Sequence, residues 1–382
     1  MRMGRFEDQV AIIGVGTTSF RALAQEKGVI RSAYDLAADA FASAVADAGI
    51  EKDEIDGLFS ARVPSYLRMA DVLGMRRPAL INGFDGAGRM SAVSLQLAAS
   101  AISSGLAETV ALVYGNNGRS AGARYGGETP SPTGLYDAVY GMTSPGASLA
   151  LMYRRYAEKN KAPDGALAPF AMNNRRNASL NPDAVFQTPF DEEEYLASPF
   201  IAEPLRLFDY CLINDGGVAL ILTSVERAKR LGKPVITISA SASRGDLTNF
   251  YASDDDFYAS CRAVADRVYG QAGIRASDVS CVQIYDNFTP TILFSLEGFG
   301  FAERGEGWRW AAEHPFESDD ALVVNTSGGH TSESYMQGWA LQAEAVRQLR
   351  GDSAGRQLPP REVVQYICAS PIVTSHIFRR LE

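Results

Sequence analysis

Short apolar runs rich in β-branched residues alternate with longer amphipathic segments along this chain, and that alternation predicts an α/β fold. The same order of elements occurs twice, which predicts two similar halves, residues 1–230 and 231–382. The predicted strands are 10–15, 110–113, 218–222, 235–239, 282–284 and 363–368, and the predicted helices are 31–48, 90–104, 255–269 and 334–349. Helix 90–104 is apolar on nearly every face, so it is expected in the middle of the protein.

The segment from 118 to 204 interrupts this order. It is rich in Gly, Pro, Asn and Arg, and we interpret it as an inserted loop region with short helices of its own. Such insertions often cover active sites. Arg119, Arg154, Arg175 and Arg176 lie in it as candidates for binding phosphate groups, with a solvated charged face as the alternative.

Composition excludes several classes of function. The net charge is −9 with no block of Lys or Arg, which argues against an extended nucleic-acid surface. No run of eighteen apolar residues occurs, so no membrane span is expected. The four cysteines are scattered without a C-x-x-C pair, which predicts a cytoplasmic protein without a zinc site or a disulfide framework. No other cofactor is expected in this chain. Because there are only three histidines, tyrosines or carboxylates are expected to carry any proton transfer.

Three short polar motifs are candidates for a site. Tyr285-Asp286-Asn287-Phe288 ends a predicted strand, the position where α/β proteins place ligand-binding groups; core packing is the alternative. The turn 325–330 leads into a predicted helix, whose first N–H groups can bind a thioester oxygen or a phosphate; a simple loop-to-helix turn is its alternative. The segment 214–217 is interpreted as a turn before a strand.

These segments, taken in order, resemble the thiolase superfamily, and specifically its sterol-carrier and lipid-transfer branch. The resemblance runs nearly from end to end of the chain. The segments that carry it are 10–16, 101–107, 114–120, 214–219, 285–289 and 325–329. It implies the layered α/β/α/β/α thiolase fold, with two similar halves and the buried helices in the middle.

The chain departs from the thiolase pattern at the catalytic positions. The position of the thiolase nucleophilic cysteine falls at Gly88, and glycine cannot attack a thioester. The histidine of the Gly-His-Pro motif is replaced by Tyr335. The His-Asp-x-Phe motif becomes 285–288, with Tyr285 first, and the late Cys-x-Gly becomes 368–370, which keeps only the sulfur. These differences argue against acyl transfer.

With two tyrosines in place of two histidines, the chain resembles the thiolase-like aldolases that shorten steroid side chains. The resemblance implies retro-aldol cleavage of a β-hydroxyacyl-CoA, with a steroid or bile-acid side chain, to a ketone and a shorter acyl-CoA. Tyr285 and Tyr335 are then the base and acid, in an order that the sequence leaves open. Backbone donors near Gly88 or Gly329 are expected to hold the enolate oxygen.

Supporting roles and alternatives complete the hypothesis. Asp286, Asn287 and His330 are expected to orient the tyrosines or the thioester. One alternative is a degenerate thiolase or an acyl-CoA hydratase that uses Cys368. Another is a non-catalytic acyl-CoA-binding scaffold subunit, since the loss of a nucleophile is also what an inactive relative would show.

The resemblance also implies an assembly. Its members form homodimers and work with a small partner containing an OB-fold and a zinc ribbon, which predicts a heterotetramer with zinc only in the partner. The apolar strand 110–113 is the expected edge-strand interface between two copies.

Overall fold

A mixed sheet of ten strands forms the framework of the protein. The computed structural model describes residues 7–84, 89–124, 135–247, 251–318 and 321–381. Its strands are β1 (Val10–Thr17), β2 (Gly57–Ala61), β3 (Leu80–Phe84), β4 (Thr109–Asn117), β5 (Phe200–Ala202), β6 (Leu205–Arg206), β7 (Asp215–Ser224), β8 (Val235–Gly245), β9 (Cys281–Ile284), β10 (Val323–Val324), β11 (Val363–Cys368) and β12 (Ile372–Leu381). Strands β5 and β6 form a separate two-stranded hairpin.

The two halves of the sheet have the same topology. From edge to centre the first half runs β3-β2-β4-β7-β1, and the second runs β10-β9-β11-β12-β8. In each half the two outer pairings are parallel and the two inner pairings are antiparallel. The halves join where Ala11 and Ile12 of β1 pair with Thr237 and Ile236 of β8. This confirms the predicted fold of two similar halves.

Helices form three layers around the two halves. They are α1 (Phe20–Gln25), α2 (Ala33–Ala48), α3 (Tyr66–Val72), α4 (Arg89–Ser103), α5 (Leu135–Val139), α6 (Pro145–Asn160), α7 (Ala168–Ser179), α8 (Glu192–Ala197), α9 (Val225–Arg230), α10 (Tyr258–Ala272), α11 (Pro290–Phe299), α12 (Gly307–Glu313), α13 (Gly329–Ser332) and α14 (Trp339–Arg350). Helices α4 and α14 contact strands of both halves, whereas α2 and α10 each cover one half. None of the helices in the described ranges is long and apolar enough to span a membrane.

The central helix α4 is less uniformly buried than its sequence suggests. Ala92, Leu95 and Ala98 are fully buried between the halves, but Leu97 is 45% exposed. The expectation of an apolar helix in the middle of the protein is confirmed, although one side of the helix is exposed at Leu97. A helix in a central layer is covered by the strands above and below it, and its remaining side can still reach the surface.

The expected edge-strand interface at 110–113 is wrong. This run lies in β4, which is paired with β2 on one side and β7 on the other. Its four residues are completely buried, as a continuous apolar run is when both faces and both edges of a strand are covered. The first half instead ends at β3, which pairs with β2.

Helices α10 and α14 begin three and five residues later than the sequence pattern suggests. Helix α10 begins at Tyr258 because Asp256 and Phe257 both have positive φ, at 52° and 65°. Helix α14 begins at Trp339 because Gln337 and Gly338 have φ of 49° and 87°. Such left-handed conformations cannot continue a right-handed helix. The second shift leaves a loop between α13 and α14.

The inserted region packs against the second half through α7. Asn173 and Asn177 of α7 donate side-chain hydrogen bonds to the carbonyl oxygen of Val324, at 2.9 and 3.0 Å. Both amides are buried, and these bonds satisfy donors that would otherwise be unpaired inside the protein. The inserted helix therefore supports the turn that follows β10.

Candidate active site

Two tyrosine hydroxyls meet at the carboxyl end of β9. Tyr285 follows β9 directly, and its N–H donates to the carbonyl oxygen of Ile367 in β11 at 2.8 Å. Tyr335 lies in the loop between α13 and α14. The two hydroxyl oxygens are 2.9 Å apart, a hydrogen bond in which either can be the donor. The structure thus brings together the two residues that the sequence analysis singled out.

Both tyrosines are protonated at neutral pH. Burial raises the pKa of Tyr285 well above its ordinary value, and the neighbouring Tyr335 hydroxyl adds to the shift. Burial also raises the pKa of Tyr335, against the smaller opposing effects of the bond from Tyr285 and of the Arg62 charge. Tyr285 is only 3% exposed, whereas Tyr335 is partly exposed. Both phenols are therefore neutral, and Tyr335 is the more exposed of the two.

Asp286 is a buried carboxyl group surrounded by donors. The N–H groups of His330 and Thr331 donate to it, at 2.8 and 3.3 Å, and so does the side-chain amide of Asn174 from α7, at 2.7 Å. Burial raises the pKa of Asp286 to about 8, and the two backbone donors act in the opposite direction. Asp286 therefore connects β9, the inserted helix α7 and the start of α13.

His330 acts as a hydrogen-bond acceptor. The N–H of Gly338 donates to its Nε2 at 3.0 Å. That bond places the ring hydrogen on Nδ1, which lies 3.2 Å from Oδ1 of Asp286. Complete burial lowers the pKa of His330 to about 3, so the ring is neutral. Its edge packs against both tyrosine rings, with centroids 4.7 Å from Tyr285 and 5.2 Å from Tyr335.

Gly329 and Asn287 lie next to these groups without touching the hydroxyl pair. Gly329 is buried with φ of 63°, and a Cβ there would clash with the carboxylate of Asp286, so only glycine allows this close approach. The backbone carbonyl of Asn287 accepts from the N–H of Cys211 at 3.0 Å. Gly88, the predicted position of further donors, lies outside the described residues.

Cys368 is enclosed at the end of β11. It is completely buried, with its sulfur 3.6 Å from the hydroxyl oxygen of Ser370 and a hydrogen bond to Tyr366. Tyr366 is a third buried phenol, and its oxygen lies 3.4 Å from Oγ of Ser91 in α4. A Cβ on Gly338 would clash with this hydroxyl. The thiol faces other side chains rather than open space.

Sequence reasoning missed three polar residues that shape the site. Asn214 accepts from the N–H of Tyr335 at 2.9 Å, although its motif suggested only a turn. Asn174 holds Asp286, and Tyr366 meets Ser91 across the two halves. For Asn174 a signal was present, because amides that recur on one side of a helix, as in α7, indicate a buried polar face. The other two contacts depend on tertiary structure alone.

The four candidate arginines in the inserted region all have partners within the protein. Arg175 is buried and donates to Oγ of Ser332 at 3.0 Å. Its guanidinium lies over the rings of Phe186, Phe190 and Phe208. Arg176 donates to a backbone carbonyl, Arg154 forms surface ion pairs, and Arg119 donates to the carbonyl of Leu23. The structure therefore favours structural roles for these arginines over phosphate binding.

Within the described ranges, no group of three or more His, Cys, Asp or Glu side chains is arranged to hold a metal ion. All four cysteines are buried, and none of them forms a disulfide bond.

Comparison with known proteins identifies relatives over nearly the whole chain. Residues 244–368 match the family model described as Thiolase C-terminal domain-like. The chain is 33% identical to a 17-hydroxy-3-oxo-4-pregnene-20-carboxyl-CoA lyase of Mycobacterium tuberculosis, over 90% of this chain and 92% of that protein. It is 35% identical to a steroid side-chain-cleaving aldolase of Thermomonospora curvata, over 91% of each chain.

A solved structure gives the same result. The structure described as Ltp2-ChsH2(DUF35) aldolase superposes with a TM-score of 0.88 and 30% identity, over 99% of each chain. The fold and the identity over about nine-tenths of the chain agree. This chain belongs to the thiolase-like family that includes the acyl-CoA lyases and steroid side-chain-cleaving aldolases, and it is a carbon–carbon lyase.

Proposed function

We propose that this enzyme cleaves a β-hydroxyacyl-CoA with a steroid or bile-acid side chain by a retro-aldol reaction, releasing a ketone and a shorter acyl-CoA. The observation that carries the proposal is the hydrogen bond of 2.9 Å between the hydroxyls of Tyr285 and Tyr335. A retro-aldol step must take a proton from the β-hydroxyl and deliver one to the α-carbon. Two phenols in contact are suited to both transfers, and the relatives' names support the reaction class.

The raised pKa values favour a relay of neutral phenols over a preformed phenolate. Ionising a phenol whose pKa is above 10 costs more than about 4 kcal/mol at pH 7. In the proposed step the hydroxyl proton of the substrate moves to the oxygen of Tyr335. Tyr335 passes its own proton to Tyr285, and Tyr285 protonates the α-carbon.

The bonds and charges balance in this scheme. The bond between the α- and β-carbons breaks, its electrons enter the thioester with enolate character, and Tyr285 protonates the α-carbon in the same concerted relay, so that neither phenol ever holds two protons. The β-carbon becomes the carbonyl carbon of the ketone, and both tyrosines end neutral. Tyr335 is assigned to the hydroxyl because it is the more exposed of the two. The thioester itself stabilises the enolate, so the scheme uses no cofactor in this chain.

The enolate oxygen requires hydrogen-bond donors, each typically worth about 3 kcal/mol. Gly329 packs against Asp286 in the interior, so we assign the donors to the segment before α4, where Gly88 lies in the sequence. The bond between Ser91 and Tyr366 ties the first turn of this helix to β11. Asp286 and His330 act on the loop that carries Tyr335, and Asn287 remains a candidate contact for the thioester.

The proposed assembly is a cytoplasmic homodimer with a small partner. Among the described strands, β3 pairs only with β2, and an unpaired strand edge can pair antiparallel with its copy about a two-fold axis. The partner is a protein of the DUF35 kind, as in the Ltp2-ChsH2(DUF35) structure, with an OB-fold and a zinc ribbon. Together they give a heterotetramer in which only the partner holds zinc.

The direct test incubates the chain, with and without its zinc-ribbon partner, with a tertiary β-hydroxyacyl-CoA. The proposal predicts equal amounts of a ketone and a shorter CoA ester, identified by mass spectrometry. Dehydration of the substrate would indicate a hydratase, and a thioester adduct on Cys368 would indicate thiolase chemistry. Tight binding without turnover by the complex would indicate a scaffold. Any of these three results contradicts the proposal.

A further inference from the structure

The loop that carries Tyr335 is fixed at its ends and in its middle. It runs from the end of α13 to the start of α14, and the bond from Gly338 N–H to the His330 ring closes it at 3.0 Å. Between these ends, the N–H of Tyr335 donates to Oδ1 of Asn214 at 2.9 Å. Asn214 comes from the first half of the chain, 121 residues away. The catalytic loop of the second half is therefore held by the first half.

Asn214 is itself held in one orientation. It is 2% exposed, and its Nδ2 donates to the carbonyl of Asp215 at 3.2 Å. Its backbone carbonyl accepts from the side chain of Asn116, at the end of β4, at 2.9 Å. Because the amide nitrogen is already engaged, the side-chain oxygen must face Tyr335. The motif that looked like a simple turn thus presents a fixed acceptor to the loop.

The position of the Tyr335 backbone decides whether the phenol pair exists. The loop has little regular structure, and Gln337 and Gly338 have positive φ. A shift of about 1 Å would stretch the 2.9 Å hydroxyl contact beyond hydrogen-bond distance. Misplacement of that size can reduce the rate of a reaction about 100-fold.

We infer that Asn214 is a positioning residue for the reaction: it fixes the backbone of Tyr335 so that the two phenols remain in contact. This inference rests on the proposed function for its effect on rate. Asn214 touches neither the phenol hydroxyls nor, in the proposed reaction, the substrate. Its action on Tyr335 can also be measured without turnover.

The test compares three variants of the full complex. Asn214→Leu keeps the size of the side chain and removes the acceptor, and it is expected to lower kcat about 10- to 100-fold with KM unchanged. Asn214→Asp keeps an accepting oxygen but loses the donor to the Asp215 carbonyl, and it is expected to recover part of the loss. Asn117→Leu is the matched control, because Asn117 follows Asn116 at the end of β4 and its side-chain amide donates to the carbonyl oxygen of Arg31 at 2.9 Å; its kcat is expected to stay at the wild-type value.

A spectroscopic measurement separates this inference from the proposed reaction. 3-Fluorotyrosine is placed at position 335, and its ionisation is followed by ¹⁹F NMR in the wild type and in Asn214→Leu. Burial holds the pKa of Tyr335 above its ordinary value, so a loosened loop that hydrates the ring is expected to lower the titration midpoint in the variant. A midpoint that stays or rises, or a kcat equal to wild type in a folded variant, overturns the inference. If no variant turns over substrate, the titration still tests whether Asn214 fixes the loop that carries Tyr335.

Discussion

Gly338 donates its backbone N–H to Nε2 of His330 at 3.0 Å, and this bond removes the only well-placed histidine from proton transfer. A neutral, fully buried ring that already accepts a hydrogen bond cannot act as a base without breaking the loop. In the proposed reaction the proton transfers therefore fall to the two phenols, and His330, which follows the glycine turn, holds the loop.

Replacing His330 separates these roles. In His330→Gln, an amide oxygen can accept the Gly338 N–H, so we expect kcat within about tenfold of wild type; His330→Phe removes the acceptor and is expected to lose about 100-fold. Because the pKa of His330 is about 3, the rate profile between pH 5 and 8 should keep its shape in the glutamine variant. Loss of an inflection near the ordinary histidine pKa would mean that His330 does titrate in the reaction.

Gly338→Ala should disrupt the site because of where its methyl group would point. A Cβ would clash with the Tyr366 hydroxyl and lie 2.7 Å from Oγ of Ser91. Gly351 is the matched control, since it has the same φ of 87° with open space around it. In both alanine variants the left-handed backbone should lower the free energy of unfolding by about 1–2 kcal/mol. In Gly338→Ala, overpacking should lower it by about 1–3 kcal/mol more. Thermal unfolding measures the stability of both variants. Equal losses of stability would contradict the predicted clash of a Cβ at position 338 with Tyr366 and Ser91.

Cys368→Ala distinguishes the retro-aldol reaction from residual thiolase chemistry. The thiol is completely buried, so we expect kcat within about threefold of wild type and a stability loss of about 1 kcal/mol for the small cavity. Intact-mass spectrometry after incubation with an acyl-CoA should show no adduct on the wild-type protein. Cys261→Ala, at an equally buried cysteine, controls for the loss of stability. An adduct that disappears in the Cys368 variant would show that the sulfur is a nucleophile.

His376 should make the protein less stable as the pH falls. Burial lowers its pKa to about 3 from an ordinary value of 6.5, so below pH 6.5 the unfolded chain binds a proton that the folded protein does not. The neutral ring therefore stabilises the folded protein above about pH 6.5. Toward pH 3 that stabilisation is lost, and the free energy of unfolding falls by about 1.4 kcal/mol per pH unit. His376→Phe fills the space between Tyr366 and Phe378 without titrating, and it should remove that slope. Denaturant unfolding at several pH values checks the difference; identical slopes would contradict it.

The order and type of the secondary-structure elements could be predicted more completely than the residues at which they begin and end. Periodic apolar runs identified β1, β4, β8, β9 and β11, because their side chains face the core on both sides of the sheet. Strand β12 was missed because it buries polar side chains, among them Thr374, Ser375 and His376, so its sequence lacks an apolar run. The late start of α14 depends on the backbone of Gln337 and Gly338, which apolar periodicity does not report.

The candidate site could be predicted only in part. Tyr285 and Tyr335 were found because family motifs mark their positions, and no spacing rule joins residues 50 apart in the chain. Asn174 and Asn214 contact the site from 112 and 121 residues away. Each lies in a segment with an adequate local explanation, a helix and a turn. Hydrogen bonds between distant segments leave no periodic pattern in the sequence.

The most direct test of the central claim is a double-mutant cycle on the phenol pair. Cleavage of a tertiary β-hydroxyacyl-CoA is measured in single-turnover experiments for Tyr285→Phe, Tyr335→Phe and the double variant. Because the two hydroxyls act as one relay, each single change should slow cleavage about 100- to 10,000-fold, and the double variant should be no slower than the worse single variant. Cleavage at the wild-type rate in either folded single variant, or losses that simply multiply in the double variant, would contradict the relay.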